Sequence, residues 1–106
     1  MSQTLDQIRE LVLKNEVRIS EHGYDELAAD GILAREAIQG IANALLVEDY
    51  PNYSKGACVL VRETDNEQRY IHVVWGIPRG KTSPAVLVTA YRPDPEIWEN
   101  DFIRRK

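Results

Sequence analysis

Two histidines are the strongest candidates for acid–base chemistry in this chain. His22 follows Arg18 in the stretch VRISEHGYDEL, and His72 lies fifty positions later in YIHVVWGI. A neutral imidazole can accept a proton near physiological pH, and an arginine can hold a phosphate or a carboxylate. Arg18, His22 and His72 are therefore candidate catalytic residues.

His22 also has a simpler interpretation as part of a helix start. Ser20 can cap a helix, and the acids Glu21 and Asp25 complement the positive end of its dipole. In the catalytic interpretation, the same dipole keeps His22 neutral as a general base beside Arg18, and the acids orient the ring. Caps and acids in a first turn are routine, so the structural interpretation is preferred for this stretch.

His72 lies in the middle of an apolar predicted strand, on the same face as Tyr70 and Val74. A buried histidine must find hydrogen-bond partners. Two interpretations remain open, a satisfied histidine of the sheet or a second acid–base group that meets His22 where a helix packs on the sheet.

Tyr91 and Arg92 end the last predicted strand, where a rigid element would fix their side chains. Arg92 suits bidentate binding of a phosphate or a carboxylate. It could equally form an ion pair with Asp94 or Glu96, and both uses stay open.

Common cofactor and metal motifs are absent from the sequence. There is no phosphate-binding glycine loop, no Cys-x-x-Cys pair, no His-Glu-x-x-His and no Gly-x-Ser-x-Gly. The single cysteine, Cys58, lies in the apolar run ACVLV and is expected to be a small buried residue without a disulfide. We expect neither a cofactor nor a metal.

The composition is that of a water-soluble folded protein. The 106 residues suffice for one domain over residues 1–106, and no apolar run reaches the length of a membrane span. The amino terminus does not resemble a secretory signal, so a cytoplasmic location is expected. The net charge of -4 disfavours nucleic-acid binding, although PRGK and IRRK are locally basic. The oligomeric state stays open.

The order of predicted elements indicates an α+β fold. Helical periodicity over the first 45 residues predicts two or three helices around one short strand, Val17 to Ser20, and Thr4 with Gln7 resembles a capping box. Tyr24, Leu27 and Ala28 form the predicted inward stripe of the second helix. From Leu46 onward, apolar runs and polar turns predict an antiparallel meander.

The predicted sheet has four or five strands with the helices on one face, and a parallel sheet is not expected. Asp94-Pro95-Glu96 resembles the start of a short carboxy-terminal helix, which Trp98 and Phe102 would dock on the sheet.

Four stretches of the chain resemble a bacterial and archaeal family called domain of unknown function 4258. They are RISEHGYDELAADGI, VEDYPNYSKGACVLV, IHVVWGI and VLVTAYRPDPEIW, between about Val17 and Trp98. The family has an Arg-x-Ser/Thr-x-His opening, a helix that ends in Gly-Ile and a closing Tyr-x-Pro. These features fall on Arg18, Ser20, His22, Gly31, Ile32, Tyr91 and Pro93.

That family is similar to the BrnT and RelE toxins, small α+β proteins that cleave RNA without a metal and are silenced by an antitoxin partner. The resemblance implies a base for the ribose 2′-hydroxyl, a cation for the phosphorane and an acid for the leaving oxygen. His22 or His72 would supply base and acid, and Arg18 or Arg92 the cation, with Tyr91 beside them.

Two functional hypotheses follow from the sequence. The first is a metal-independent endoribonuclease of the toxin type, with RNA as substrate and an antitoxin-like protein as partner. The second is a toxin-like binding or protein-interaction module without catalysis, which the net charge of -4 favours.

Overall fold

The computed structural model describes residues 2–106, which form three helices and one five-stranded sheet. The helices are α1 Gln3–Leu13, α2 Glu21–Ala29 and α3 Ala34–Gln39, and a 3-10 turn Gly40–Asn43 follows α3. The strands are β1 Val17–Ile19, β2 Leu45–Tyr50, β3 Cys58–Thr64, β4 Tyr70–Gly76 and β5 Ala85–Tyr91. None of these helices is long and apolar enough to cross a membrane.

The sheet has the strand order β1-β5-β4-β3-β2. Strands β2 to β5 form the predicted antiparallel meander, which confirms the α+β class. The edge strand β1 differs, because it pairs with β5 in parallel, with Val17 opposite Ala85 and Ile19 opposite Leu87. Helices α2 and α3 carry the chain from β1 to β2, which lies at the opposite edge of the sheet. The meander then runs back across the sheet, and its last strand, β5, lies beside β1. The sheet is therefore mixed.

One face of the sheet packs against the helices and forms the core, and we call it the helical face. Alternate residues of β3 and β4 point there. Leu5 and Ile8 of α1 and Leu27 of α2 pack on this face together with the 3-10 turn residue Ile41. The sheet contributes Val59, Val61, Ile71, Val73 and Trp75, all of which are fully buried.

The helix boundaries differ from the sequence expectation in three details. Ser2, and not Thr4, caps α1, because its hydroxyl accepts a hydrogen bond from the Leu5 amide at 3.1 Å. In α2 only Leu27 of the predicted stripe is buried, whereas Tyr24 is 58% exposed. The sequence predicts the third helix over about Leu33 to Ala44, whereas α3 ends at Gln39 and the 3-10 turn Gly40–Asn43 follows it.

The predicted carboxy-terminal helix does not form. Asp94 starts a turn whose carbonyl accepts hydrogen bonds from the Ile97 and Trp98 amides. The chain then folds back, and Trp98 forms an isolated bridge with Arg105. We call residues 94–106 the C-terminal strap. It crosses the sheet on the side opposite the helices, which we call the second face; Cys58, Leu60, Arg62, Tyr70, His72 and Val74 point there.

Glu63 is a carboxylic acid buried in the core, only 1% exposed. The Trp75 indole donates a hydrogen bond to its Oε2 at 3.1 Å, whereas Oε1 has no partner among residues 2–106. Gly40 makes room for this side chain, because a β-carbon there would collide with Oε1. Burial raises the pKa of Glu63 from 4.5 to about 8, and the indole hydrogen bond opposes the shift. Glu63 is therefore neutral at pH 7.

Replacement of Glu63 by glutamine should remove a pH-dependent loss of stability. A carboxyl with a raised folded-state pKa holds its proton more tightly when folded, so the free energy of unfolding falls as pH rises from 4.5 towards about 8. Within that window the slope approaches about 1.4 kcal/mol per pH unit. Glu63→Gln should gain stability relative to the wild type as pH rises from about 5 to about 8, measured by urea unfolding.

The exposed Glu99 provides a matched control, because Glu99→Gln makes the same chemical change in solvent. Glu99→Gln should follow the wild-type pH profile. If the free energy of unfolding of Glu63→Gln followed the same pH profile as the wild type, the pKa of the core carboxyl would not be raised by folding.

Candidate functional site

The stretch around His22 is a helix start. The Ser20 hydroxyl accepts a hydrogen bond from the Gly23 amide at 2.9 Å and donates one to the Val88 carbonyl at 2.9 Å. The His22 side chain is 65% exposed and lies 3.6 Å from the Glu26 carboxylate on the next turn of α2. Ser20 thus has the predicted capping role, while His22 lies on the solvent side of its helix.

Arg92 is occupied by structural contacts. Its guanidinium donates a hydrogen bond to the Asp65 carboxylate at 2.8 Å, and its amide donates one to the Asp30 carboxylate at 2.8 Å. Burial alone would raise the pKa of Asp65, but hydrogen bonds from the Arg69 amide, the Arg92 guanidinium and the Glu67 amide lower it. Of the two uses left open for Arg92, the structure shows an ion pair, and its partner is Asp65 instead of Asp94 or Glu96.

His72 and Tyr91 lie opposite each other on β4 and β5, and their side chains touch. His72 Nδ1 is 3.3 Å from the Tyr91 hydroxyl, and His72 Nε2 is 2.7 Å from the Phe102 carbonyl. Because a carbonyl only accepts, Nε2 carries the hydrogen and Nδ1 accepts from the Tyr91 hydroxyl. Both ring nitrogens of the neutral imidazole are satisfied.

The C-terminal strap covers His72 and excludes water from its ring, while Tyr91 is half-buried. The Trp98 ring packs edge-on against His72 with centroids 4.7 Å apart, and His72 is 0% exposed. Burial lowers the pKa of His72; the hydrogen bond to Phe102 opposes this, and the charges of Arg105 and Arg62 add to it. We call His72, Tyr91, Trp98, Arg62 and Arg105 the covered cluster. An acid–base pair exists here, but the strap closes it.

The structure does not bring the two histidines together. His22 belongs to α2 on the helical face, whereas His72 points to the second face and is enclosed by the strap. No hydrogen bond or ion pair joins them within the described part of the chain. Of the predicted site residues within 2–106, only His72 and Tyr91 share a side-chain hydrogen bond.

The part of the second face that the strap leaves open forms a groove of about 580 Å³, which we call the tyrosine groove. Its floor is apolar and includes Val74, Val86 and Val88. Its rim carries Arg18, Tyr50, Tyr53 and Lys55. Arg18 reaches it because Val17 and Ile19 on either side of it pack towards the core.

The charge of the tyrosine groove is opposite to that of the whole chain. Arg18 and Lys55 line it, and no carboxylate does, although the chain has a net charge of -4. Within residues 2–106 neither cation forms an ion pair with an acid. Cys58 also borders the groove, and burial followed by the nearby Asp49 raises its pKa, so it is a thiol. The groove therefore suits an anionic ligand with flat apolar groups.

The loops at this end of the sheet extend the positive charge. Residues 51–57 and 77–84 contain Lys55, Arg79 and Lys81 and no acid. Their backbones pair, because the Arg79 amide donates to the Lys55 carbonyl at 3.1 Å. Gly56 permits this approach; its φ is +126°, and a β-carbon would collide with the Ile77 carbonyl.

Sequence reasoning missed Tyr50, Tyr53 and Lys55 as site residues, although a signal for them was present. YPNYSKG combines two aromatic rings and a cation without an acid, and PRGK is basic. What the sequence alone did not provide was the pairing that brings the two loops together. No group of three or more His, Cys, Asp or Glu side chains among residues 2–106 could hold a metal ion.

Loss of Trp98 should raise the pKa of His72. Trp98→Ala would admit water beside the ring, and burial is the largest cause of the lowered value, so the pKa should move up towards 6.5. The measurement is a pH titration of the histidine ring protons by NMR. The His22 signal in the same spectra is the internal control, and an unchanged His72 titration would contradict the shielding role of the strap.

The comparison with known proteins identifies one family. The sequence model of the family described as "Domain of unknown function (DUF4258)" matches residues 19–92, which is more than half of the chain. The matched region includes Ser20, His22, His72, Tyr91 and both basic loops. No curated protein and no solved structure shows significant similarity to the chain. The chain therefore belongs to the DUF4258 family.

Proposed function

We propose that this protein binds single-stranded RNA in the tyrosine groove and does not cut it. One observation carries the proposal: the groove combines two exposed tyrosines with Arg18 and Lys55 and has no carboxylate, in a chain of net charge -4. Proteins that hold single strands combine cations along the backbone with aromatic rings on which bases stack. The groove has both components.

The exposure of the rings suits stacking. Tyr50 is 43% exposed and Tyr53 is 54% exposed, so both present ring surface to solvent. The valines of the floor can cover the other parts of a base, whereas a paired duplex would keep its bases out of reach. The two cations can contact the phosphates, which supplies affinity for any sequence.

The absence of cleavage is proposed from the state of the predicted catalytic residues. His72 and Tyr91 form a hydrogen bond with each other beneath the strap, and Arg92 forms an ion pair with Asp65. His22 lies on another side of the protein. A general base must reach the ribose 2′-hydroxyl directly or through one water. In the closed arrangement neither histidine does so from the groove.

A second candidate is the metal-independent endoribonuclease, and one observation favours it. His72 and Val74 of the groove floor lie two residues apart on the same face of β4. An RNA strand bound in the groove would therefore pass beside the covered cluster. With the strap displaced, His72 would take the 2′-hydroxyl proton as that oxygen attacks phosphorus. Arg18 would contact the phosphorane, and Tyr91 would protonate the leaving 5′ oxygen.

An antitoxin-like protein partner is proposed as well. An acidic segment of such a partner would compete with RNA for Arg18 and Lys55. A cytoplasmic location, where both RNA and such a partner are available, is proposed on the same basis.

The proposal can be tested with Tyr53→Ala and the matched control Tyr24→Ala. Tyr53 is 54% exposed in the groove, and Tyr24 is 58% exposed on α2, so both changes remove a similar surface ring. Loss of one stacked base costs about 1–3 kcal/mol, so Tyr53→Ala should weaken binding about fivefold or more. Tyr24→Ala should bind like the wild type. The measurement is fluorescence anisotropy of a labelled oligouridylate in EDTA.

The same samples, separated on a denaturing gel, distinguish the two candidates. Intact RNA supports binding without cleavage. Cleavage that disappears in His72→Ala would support the endoribonuclease and overturn the non-cutting part of the proposal. Equal affinities of Tyr53→Ala and Tyr24→Ala would place the RNA outside the groove.

A further inference from the structure

We infer that the RNA site does not end at the tyrosine groove but continues across the paired loops into a second groove beside α1, with phosphates on Lys55, Arg79 and Lys81. This inference rests on the proposed function and specifies the path of the strand and the extent of the site.

The two grooves share part of their lining. The second groove, of about 830 Å³, lies between α1 and the loops. Tyr53, Gly56, Ile77 and Pro78 line both grooves, so only the paired loops separate them. Tyr53 therefore stands where a strand would pass from one groove to the other.

The cations of the loops lack anionic partners. Lys55 and Arg79 lie opposite each other in the paired backbones. Lys55 lines the tyrosine groove, and Arg79 lines the second groove. Neither of them, nor Lys81, forms an ion pair with any acid of residues 2–106. Among residues 2–106, the Arg79 guanidinium donates a hydrogen bond only to the Ser54 carbonyl, at a long 3.4 Å. A phosphate near these side chains would form charge-assisted hydrogen bonds with them.

The wall of the second groove that faces the loops is acidic, so it should direct the RNA strand towards residues 77–84. Glu10 and Glu16 line that wall, beside the single cation Lys14. Carboxylates repel phosphates, so the backbone of a bound strand should follow Arg79 and Lys81. The polar groups of Thr82 and Ser83 lie on this same loop and can contact sugars.

The salt dependence of binding measures how many cations contact phosphates. For single strands, the slope of log K against log salt is about -0.7 for each phosphate neutralised. Arg18 and Lys55 alone predict a slope of about -1.4, whereas four cations predict about -2.8. The second value is expected for an oligouridylate of about twelve nucleotides.

The test is the double variant Arg79→Gln with Lys81→Gln, measured by anisotropy over a salt series. It should reduce the magnitude of the slope by about 1.4. The matched control is Arg35→Gln with Lys106→Gln, which makes the same change of net charge at exposed positions outside both grooves. The control should retain nearly the wild-type slope. All four positions are exposed, and equal thermal midpoints confirm folding.

The outcomes separate this inference from the proposed function. If the wild type binds RNA and Tyr53→Ala weakens it, but the Arg79 and Lys81 variant keeps the wild-type slope, the path across the loops is wrong and the groove remains. If the wild type does not bind RNA, both fail. Tighter binding of polyglutamate than of the oligouridylate, at equal charge concentration, would overturn RNA as the occupant in favour of an acidic polypeptide.

Discussion

The hydrogen bond from His72 to the Phe102 carbonyl is the constraint that organises the second face of the sheet. A buried imidazole needs partners for both nitrogens, and β5 supplies only the Tyr91 hydroxyl. The strap supplies the other partner, and the Asp101 carbonyl accepts a hydrogen bond from Arg62 at 2.7 Å. These two carbonyls fix where the strap crosses. They thereby divide the face into a covered cluster and an open groove.

The same carbonyls explain why the predicted carboxy-terminal helix is absent. A helix would use the carbonyls of Asp101 and Phe102 for its own hydrogen bonds or expose them at its end, whereas here the sheet takes them. Phe102 accordingly adopts a φ of +53°, outside the helical region. Local sequence signals favour a helix at Asp94-Pro95-Glu96, but tertiary contacts decide the outcome. The parallel pairing of β1 is equally non-local, since its partner lies 68 residues further along the chain.

The features that the sequence did predict are those that depend on periodicity. Strands β3, β4 and β5 follow from alternating apolar runs, and Ser20 is the cap that its position before α2 predicts. The candidate site was only partly predictable, because its residues come from separate segments. His72 with Tyr91 required the register of β4 and β5, and Tyr53 with Arg79 required the pairing of two loops. The distribution of charge was also hard to predict, because the net value of -4 conceals two loops, residues 51–57 and 77–84, that contain cations and no acid.

The Arg-x-Ser-x-His motif gains a physical explanation from the way β1 meets α2. Strand alternation directs Val17 and Ile19 to the core, so Arg18 must point to the second face. The next element begins at once, and Ser20 becomes its cap. From that point the helical period applies, and it turns His22 to the solvent side of α2. Three residues that are close in sequence therefore have three different environments, and only Arg18 reaches the groove. The motif is thus a strand-to-helix junction that presents one arginine, and a shared catalytic role for Arg18 and His22 does not follow from their spacing.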